Sequence, residues 1–331
     1  MKHALFAVAS TFALLAGTSA SAQQPIVIGH ALSPTSHYGL GADPFIAKLE
    51  ELSGGAITGT QAPAGQLGGE RDMIEGLQIG SLDVVITSTG PLGNFVPKIY
   101  ALDLPFLFRD YDHARAVLVG EIGQELLAKI DENNLVGLAW SENGFRHVRN
   151  SQRPVRTPAD LEGLKLRTME NKVHMEAFSQ IPMAFPELFT ALQQGVVDSQ
   201  ENPVTVIAAS KLREVQGHVS LTGHVYSPVA VLASPILIDG LTDEQKGWLD
   251  EAAKASAVAK RAEVNRLEDT GVALLRENAH GIHHRYRQGT FCGAGSTCLQ
   301  NLHRPVWPRA GGAHPSGQVT PQTSGAGPFR T

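Results

Sequence analysis

The chain has 331 residues, 42% of them hydrophobic, and a formal net charge of -5. That length suits two domains of ordinary size, with enough chain to bury a core. The weak acidic balance lacks the basic footprint that nucleic-acid binding requires, so no nucleic-acid partner is expected.

The N-terminus carries Lys2 and His3, an apolar run from Ala4 to Ala16, and then Ala20-Ser21-Ala22. This is the layout of a secretory signal peptide over residues 1–22, with the mature chain starting near Gln23. The apolar run is short for a membrane anchor, and no later stretch approaches the length of a span. An exported, soluble protein is expected.

From Gln23 onward short strands alternate with helices, which predicts an α/β architecture. "IVIGH" (Ile26–His30) reads as a strand. A helix from about Gly41 to Leu52 follows, ended by Gly54-Gly55. "ERDMIEGLQIG" places Met73, Ile74 and Leu77 on one helical face. "LDVVITST" (Leu82–Thr89) is a near-continuous apolar strand, the pattern of a strand covered on both faces, and "NLVGLAW" (Asn134–Trp140) is another. Thr157, Pro158, Asp160 and Gly163 punctuate a short helix, and a strand from Leu164 to Thr168 follows. "PELFTALQQG" (Pro186–Gly195) predicts a helix with Leu188, Ala191 and Leu192 inward. "TDEQ" (Thr242–Gln245) is a capping box. It opens a long helix to about Glu277, with Trp248, Leu249, Ala252, Ala259 and Leu267 as candidate buried positions. No flexible linker separates the domains, which favours several crossings between lobes over one hinge peptide.

Composition changes abruptly near residue 279. Residues 279–331 hold no Asp, Glu or Lys, but contain five Arg, five of the 13 His and both Cys. The chain has 27 Lys+Arg and 32 Asp+Glu, so removing those five Arg leaves 22 against 32, or -10, for residues 1–278. Cys292 and Cys298 are spaced Cys-x5-Cys, a poor fit to a zinc knuckle. A disordered tail and translation in the wrong frame are the other readings. Synonymous codons for Thr297–Ala310, read one base later, permit PVYKTYTAQFGPEL, which restores one glutamate, one lysine and helical apolar spacing. The expectation is a single-base frameshift near residues 278–281, leaving 279–331 as an aberrant, poorly ordered tail.

No nucleophile elbow, P-loop or metal-binding helix is present. "GQLGGE" (Gly65–Glu70) before a helix reads as a plain turn rather than an anion site. His30 and His37 lack further ligands at metal spacing and read as packing or hydrogen-bonding residues. Arg167 lies near the end of the strand "LKLRT", and ligands gather at the carboxyl ends of such strands. A guanidinium there matches a carboxylate with two parallel bonds. Pattern alone leaves this open against a solvated surface arginine, and leans to the latter.

Five blocks, "SPTSHYGLGA", "AGQLGGERDMIEGLQIGSLD", "LDLPFLFRD", "WSENGFRHVRNSQRPVRTPADLEGLKLR" and "ALQQGVVDSQENP", occur in order across residues 25–278. Together they resemble the solute-binding proteins of tripartite ATP-independent periplasmic (TRAP) transporters, of the dicarboxylate-binding type. The resemblance implies two α/β lobes with a ligand cleft between them and a long helix, Thr242–Glu277, spanning both. It places lobe I at 23–143 plus about 228–264, and lobe II at 144–227 plus about 265–278.

The same resemblance implies that Arg167 pairs with a substrate carboxylate and that Arg146 assists. Asn202 would bond the carboxylate or a hydroxyl, and Phe185 would wall the cleft. His37, Glu70, Thr89 and Asn143 would supply the remaining polar contacts. The expected role is a periplasmic receptor, monomeric and without cofactor or metal, that delivers a C4-dicarboxylate or sugar acid to the TRAP membrane permease. It would perform no chemistry. The alternatives are an exported enzyme acting on a small carboxylate, with Glu70 or His37 as base, and a receptor that signals to a membrane sensor. Two departures stand out. "AFSQIPMAF" (Ala177–Phe185) is several residues shorter than the family's segment, which threatens the placing of Phe185. Ser199 replaces the usual glycine, with a conformational cost if that position needs positive φ.

Overall fold

A computed structural model of the chain describes residues 24–178, 180–278 and 281–283. In chain order the elements are β1 (Gln24–His30), α1 (Gly39–Leu52), β2 (Ile57–Ala62), α2 (Glu70–Gln78), β3 (Val84–Ser88), α3 (Thr89–Leu92), α4 (Tyr111–Val119), α5 (Glu121–Asp131), β4 (Val136–Asn150), β5 (Leu166–Thr168), α6 (Lys172–Phe178), β6 (Ile181–Pro182), α7 (Leu188–Gln193), β7 (Ser199–Pro203), α8 (Val204–Ala209), β8 (His218–Ala233), α9 (Pro235–Asp239), α10 (Asp243–Asn278) and β9 (Gly281–His283). The signal-peptide expectation and most of 279–331, including both cysteines, lie outside the described residues. Of the tail, Gly281–His283 pairs as a short strand with the start of β8.

The strands form one sheet in the order β2-β1-β3-β8-β4-β7-β5-β6, with β9 beside β8. Two parallel wings, β2-β1-β3 and β7-β5-β6, flank a central antiparallel pair, β4 and β8. Residues Val136–Glu142 of β4 pair with Pro228–Ala233 of β8 beside β3, whereas Arg146–Asn150 lie beside β7. Both long strands therefore run from one wing to the other. The mixed α/β sheet with its helical layers is the two-lobed fold expected from the sequence. The crossing is made by β4 and β8, which the pattern "NLVGLAW" did not reveal beyond Trp140.

The first wing buries both faces. Val84 and Ile86 of β3 pack with Phe45, Leu49, Leu249 and Ala252, while Val85 packs with Met73, Ile74 and Leu77 on the other side. That is the alternation of a strand whose side chains point to opposite faces, both covered. Each such fully buried aliphatic side chain contributes about 1.5–3 kcal/mol. The second wing has smaller cores, one around Val148, Leu164, Leu166 and Phe178, another around Leu188, Leu192 and Val197. Helix α10 starts at the capping box, where the Gln245 side chain accepts from Thr242 N at 2.9 Å and Thr242 Oγ1 accepts from Gln245 N at 3.3 Å. It then packs along α1, β4 and α8.

Three local expectations differ. The 157–163 segment is a single 3-10 turn, Pro158–Leu161, because Gly163 at φ +78° reverses the chain at once. Ser199 lies in β7 and outside the positive-φ residues, so the serine carries no backbone strain there. On α10, Leu249 and Ala252 are buried as expected, but Trp248, Ala259 and Leu267 are only half-buried; the buried stripe also includes Ala253, Ser256, Ala257, Lys260 and Val264. "GQLGGE" is the turn expected, with Gly65 at φ +68° and Gly68 at φ +98° ahead of α2.

Candidate functional site

The carboxyl ends of parallel strands from both wings point toward one cleft, the general location of ligand sites in open α/β sheets. About 320 Å³ of atom-free space, part of it open to solvent, lies within it. From the first wing and the waist come Ala31, Leu32, Tyr38, Glu70, Ser88 and Asn143; from the second come Arg146, Met169, Phe185, Asn202 and Val206. Ala31 and Leu32 follow β1, Ser88 ends β3, and Met169 follows β5.

Arg146 is 1% exposed and fully engaged. Its Nε donates to Glu201 Oε2, and its Nη2 to Glu201 Oε1 at 2.9 Å and to Asn202 Oδ1 at 3.2 Å. Glu201 also accepts from Thr168 Oγ1 at 3.2 Å and contacts His224 Nε2 at 3.3 Å. Burial alone would push the Glu201 carboxyl up. The charge of Arg146 and the bonds from His224 and Arg146 outweigh it and hold the group well below the usual carboxylate range.

Arg167 is equally buried but forms no salt bridge among the described residues. Its Nε and Nη2 donate to the carbonyl of Met183 at 3.0 and 2.5 Å. Its Nη1 is buried with no hydrogen-bond partner. Burial, and then the like charge of Arg146, lower its pKa to about 10. The guanidinium sits 5.9 Å from the Phe185 ring, one layer beneath the lining.

Glu70 opens α2, where the helix dipole favours a carboxylate. Its Oε1 accepts from Ser88 N at 2.7 Å and Thr87 Oγ1 at 3.2 Å, and its Oε2 accepts from Ser88 Oγ at 3.1 Å. Asn143 is held by His37, whose Nε2 lies 2.7 Å from Asn143 Oδ1, and by Tyr38 Oη, which accepts from Asn143 Nδ2 at 3.2 Å. Burial, helped by Lys260, lowers His37 to about 3, so the imidazole is neutral and donates through Nε2.

Of the eight residues singled out in the sequence, Glu70, Asn143, Arg146, Phe185 and Asn202 border the cleft. Phe185 does so despite the short segment ahead of it. Arg167, His37 and Thr89 do not. Thr89 turns its hydroxyl to Asp103 Oδ1 at 2.6 Å, and Asn171 Nδ2 meets the other Asp103 oxygen at 2.7 Å. Burial raises Asp103 to about 7 against the opposing effect of those two donors. Sequence reasoning missed Tyr38, Ser88, Glu201 and Lys260. The first sits in the quoted "TSHYG" and the third in "QENP", so each was one residue away from a named candidate. Lys260 gave no signal at all: its Nζ is buried 3.7 Å over the Tyr38 ring, without a hydrogen-bond partner. Among the described residues no group of His, Cys, Asp and Glu has the geometry to hold a metal ion.

The profile of the bacterial extracellular solute-binding proteins, family 7, matches residues 28–289. A solute-binding protein of Verminephrobacter eiseniae is 47% identical over 264 residues, 78% of each chain. The C4-dicarboxylate-binding periplasmic protein of Rhodobacter capsulatus is 35% identical over 288 residues, 82% of this chain and 86% of that one. A crystal structure of a TRAP periplasmic solute-binding protein from a Polaromonas species, bound to D-erythronate, superposes with a TM-score of 0.82 at 47% identity, covering 85% of this chain and 94% of that one. A match over most of the chain, in sequence and in fold, makes this chain a member of the family 7 extracellular solute-binding proteins, the substrate-capturing subunits of TRAP transporters.

Proposed function

We propose that this chain binds a small organic acid anion in its cleft, in the periplasm, and presents it as a monomer to the TRAP membrane permease without converting it. One observation carries the reading: of two buried arginines, Arg146 in the cleft lining and Arg167 one layer beneath it, only Arg146 forms a salt bridge with a carboxylate. Arg167 keeps a bare Nη1 and forms no salt bridge among the described residues, although the charges of Glu201, Glu70 and Glu170 reach it. A buried, unpaired guanidinium is destabilised until an anion reaches it. The carboxylate of a ligand would draw on Arg167 and Arg146, with Asn202 beside them. Glu70 and Asn143 would take its other polar groups, and Phe185 would close over its chain. Thr89 and His37 act one step back, through Asp103 and Asn143.

The lobe division at 143/144 and 227/228 is supported by a register shift in the β4–β8 ladder, where Glu142 pairs with Pro228 and Gly144 with Ser227. We place the hinge there. Against the enzyme alternative, His37 is buried and bonded to Asn143, and Glu70's oxygens are occupied by Ser88 and Thr87. Export by a cleaved peptide over residues 1–22 completes the reading.

Titration calorimetry and thermal shift against a panel of organic acids test it. Binding to the native state alone raises the melting temperature by mass action. Arg167→Ala should weaken binding by about 10- to 100-fold, one charge-assisted bond or a little more. The recovered acid should be unchanged by NMR. No response to any acid, or equal affinity in Arg167→Ala, would sink the reading.

A further inference from the structure

Tyr38 belongs to the cleft lining, and its hydroxyl accepts from Asn143 Nδ2 at 3.2 Å. The hydroxyl's own proton has no acceptor among the described residues. The charges of Glu70 and Arg146, two other lining residues, both reach the phenol. Behind the ring lies Lys260 of α10, fully buried, with its Nζ 3.7 Å from the ring centroid. That Nζ forms no hydrogen bond. Burial lowers the amine well below its ordinary pKa, and the charges of Glu70 and Glu142 oppose that shift. His37 meets the same ring edge-on, with centroids 5.0 Å apart. Space for the lysine stem is built into α1, since a Cβ on Gly41 would also crowd Ser256 Oγ at 3.3 Å. Taking an ammonium out of water without a hydrogen bond is unfavourable, and a methionine would fill the same volume. Packing alone therefore does not account for a lysine here.

We propose that Tyr38 donates its hydroxyl proton to an oxygen of the bound acid, and that Lys260 is the positioning residue behind it. This rests on the reading that the cleft takes an acid anion. A cation over the face of a buried ring is attracted by the ring's quadrupole. The attraction holds the ring in place and draws electron density from the phenol oxygen, which makes its O–H a better donor. A bond from that O–H to an anion is charge-assisted and stronger than one between neutral groups. The acid supplies the acceptor that the free protein lacks, and its negative charge favours the protonated amine over the neutral one. Lys260 does not touch the ligand; it acts through the ring.

Calorimetry on the full chain tests this, using whichever of succinate, malate, gluconate and 2,3,4-trihydroxybutanoate binds the wild type most tightly. Tyr38→Phe keeps the ring and its lysine contact, and should weaken binding by about tenfold. Lys260→Met keeps an unbranched stem without the charge, and should weaken binding by about 5- to 30-fold. The melting temperature of the unliganded Lys260→Met chain should stay level or rise, because a buried unpaired charge has gone. A residue that only packs would lower affinity and melting temperature together, and that result overturns the proposal. In the Tyr38→Phe background, Lys260→Met should weaken binding by less than about threefold, since its route to the ligand is already removed. An undiminished loss in that background overturns the proposal. So does unchanged affinity in Tyr38→Phe, a comparison that holds even if Lys260→Met misfolds. Failure of every acid to bind the wild type overturns the carboxylate reading and this proposal with it. Wild-type binding that neither variant alters overturns this proposal alone.

Discussion

Arg146 and Glu201 sit 55 residues apart and meet only because β4 and β7 pair antiparallel, with Arg146 opposite Pro203 and Val148 opposite Glu201. That register is not legible in either segment alone. The sequence motif "QENP" therefore drew notice to Asn202 while the glutamate beside it was passed over. Removing one member of such a pair strands the other charge in the interior, at about 3–5 kcal/mol. Arg146→Ala should accordingly lower the unfolding free energy by about that amount, read by urea denaturation at neutral pH. A loss under about 1 kcal/mol would show that Glu201 finds another partner or protonates without penalty. Because its folded-state pKa is depressed, Glu201 contributes stability above the usual carboxylate range, and that contribution fades as the pH falls.

At the scale of elements, the link between Asp103 and the turn before α6 works in the opposite direction. Asp103 is fully buried, bonded by Thr89 from α3 and Asn171 from the segment after β5, with His174 on its own carbonyl at 3.2 Å. The charges that reach it are Arg146 on β4 and Glu201 on β7. Its folded pKa of about 7 lies above the ordinary 3.8, so folding takes up a proton between those values. Its contribution is full below the ordinary value and is lost as pH rises through about 7, with a limiting slope of about 1.4 kcal/mol per pH unit. Asp103→Asn should flatten the pH dependence of the unfolding free energy between pH 5 and 7. An identical slope in the variant would place the proton elsewhere. Most elements were legible because strand alternation, glycine stops and the Thr242 capping box are local signals. The buried face of α10 was less so. Lys260 occupies a core position because Gly41 on α1 leaves room for its stem: a Cβ there would lie 2.3 Å from Lys260 Cγ. A lysine reads as solvent-facing until the partner helix is known.

For the whole molecule, the composition of residues 279–331 raises a question of reading frame. We propose that the aberrant composition marks a shifted frame, and that the restored peptide packs as a helical segment against the second lobe. A restored gene should give a chain that melts in one cooperative transition at a higher temperature than the 331-residue chain. Scanning calorimetry on the two would show it, and equal melting temperatures would remove the case for a lost structural element. The family, and with it an organic acid as ligand, was legible from ordered blocks spread over 25–278, whereas the pairing of Arg146 with Glu201 is a property of the assembled sheet rather than of any block.

We propose that the passage of β4 and β8 from one wing to the other, with α10 alongside, makes lobe closure a flexure rather than a swivel. Two hydrogen-bonded strands, with a register shift between Glu142 and Gly144 and Gly144 at φ +110°, would bend about one axis and resist the others. Lobes on a free linker would have to surrender a wide range of relative orientations each time they shut on a ligand. Here most of that freedom is absent before the ligand arrives, so more of the contact free energy survives as affinity. The same single-axis stroke would deliver an identical closed face to the membrane on every cycle.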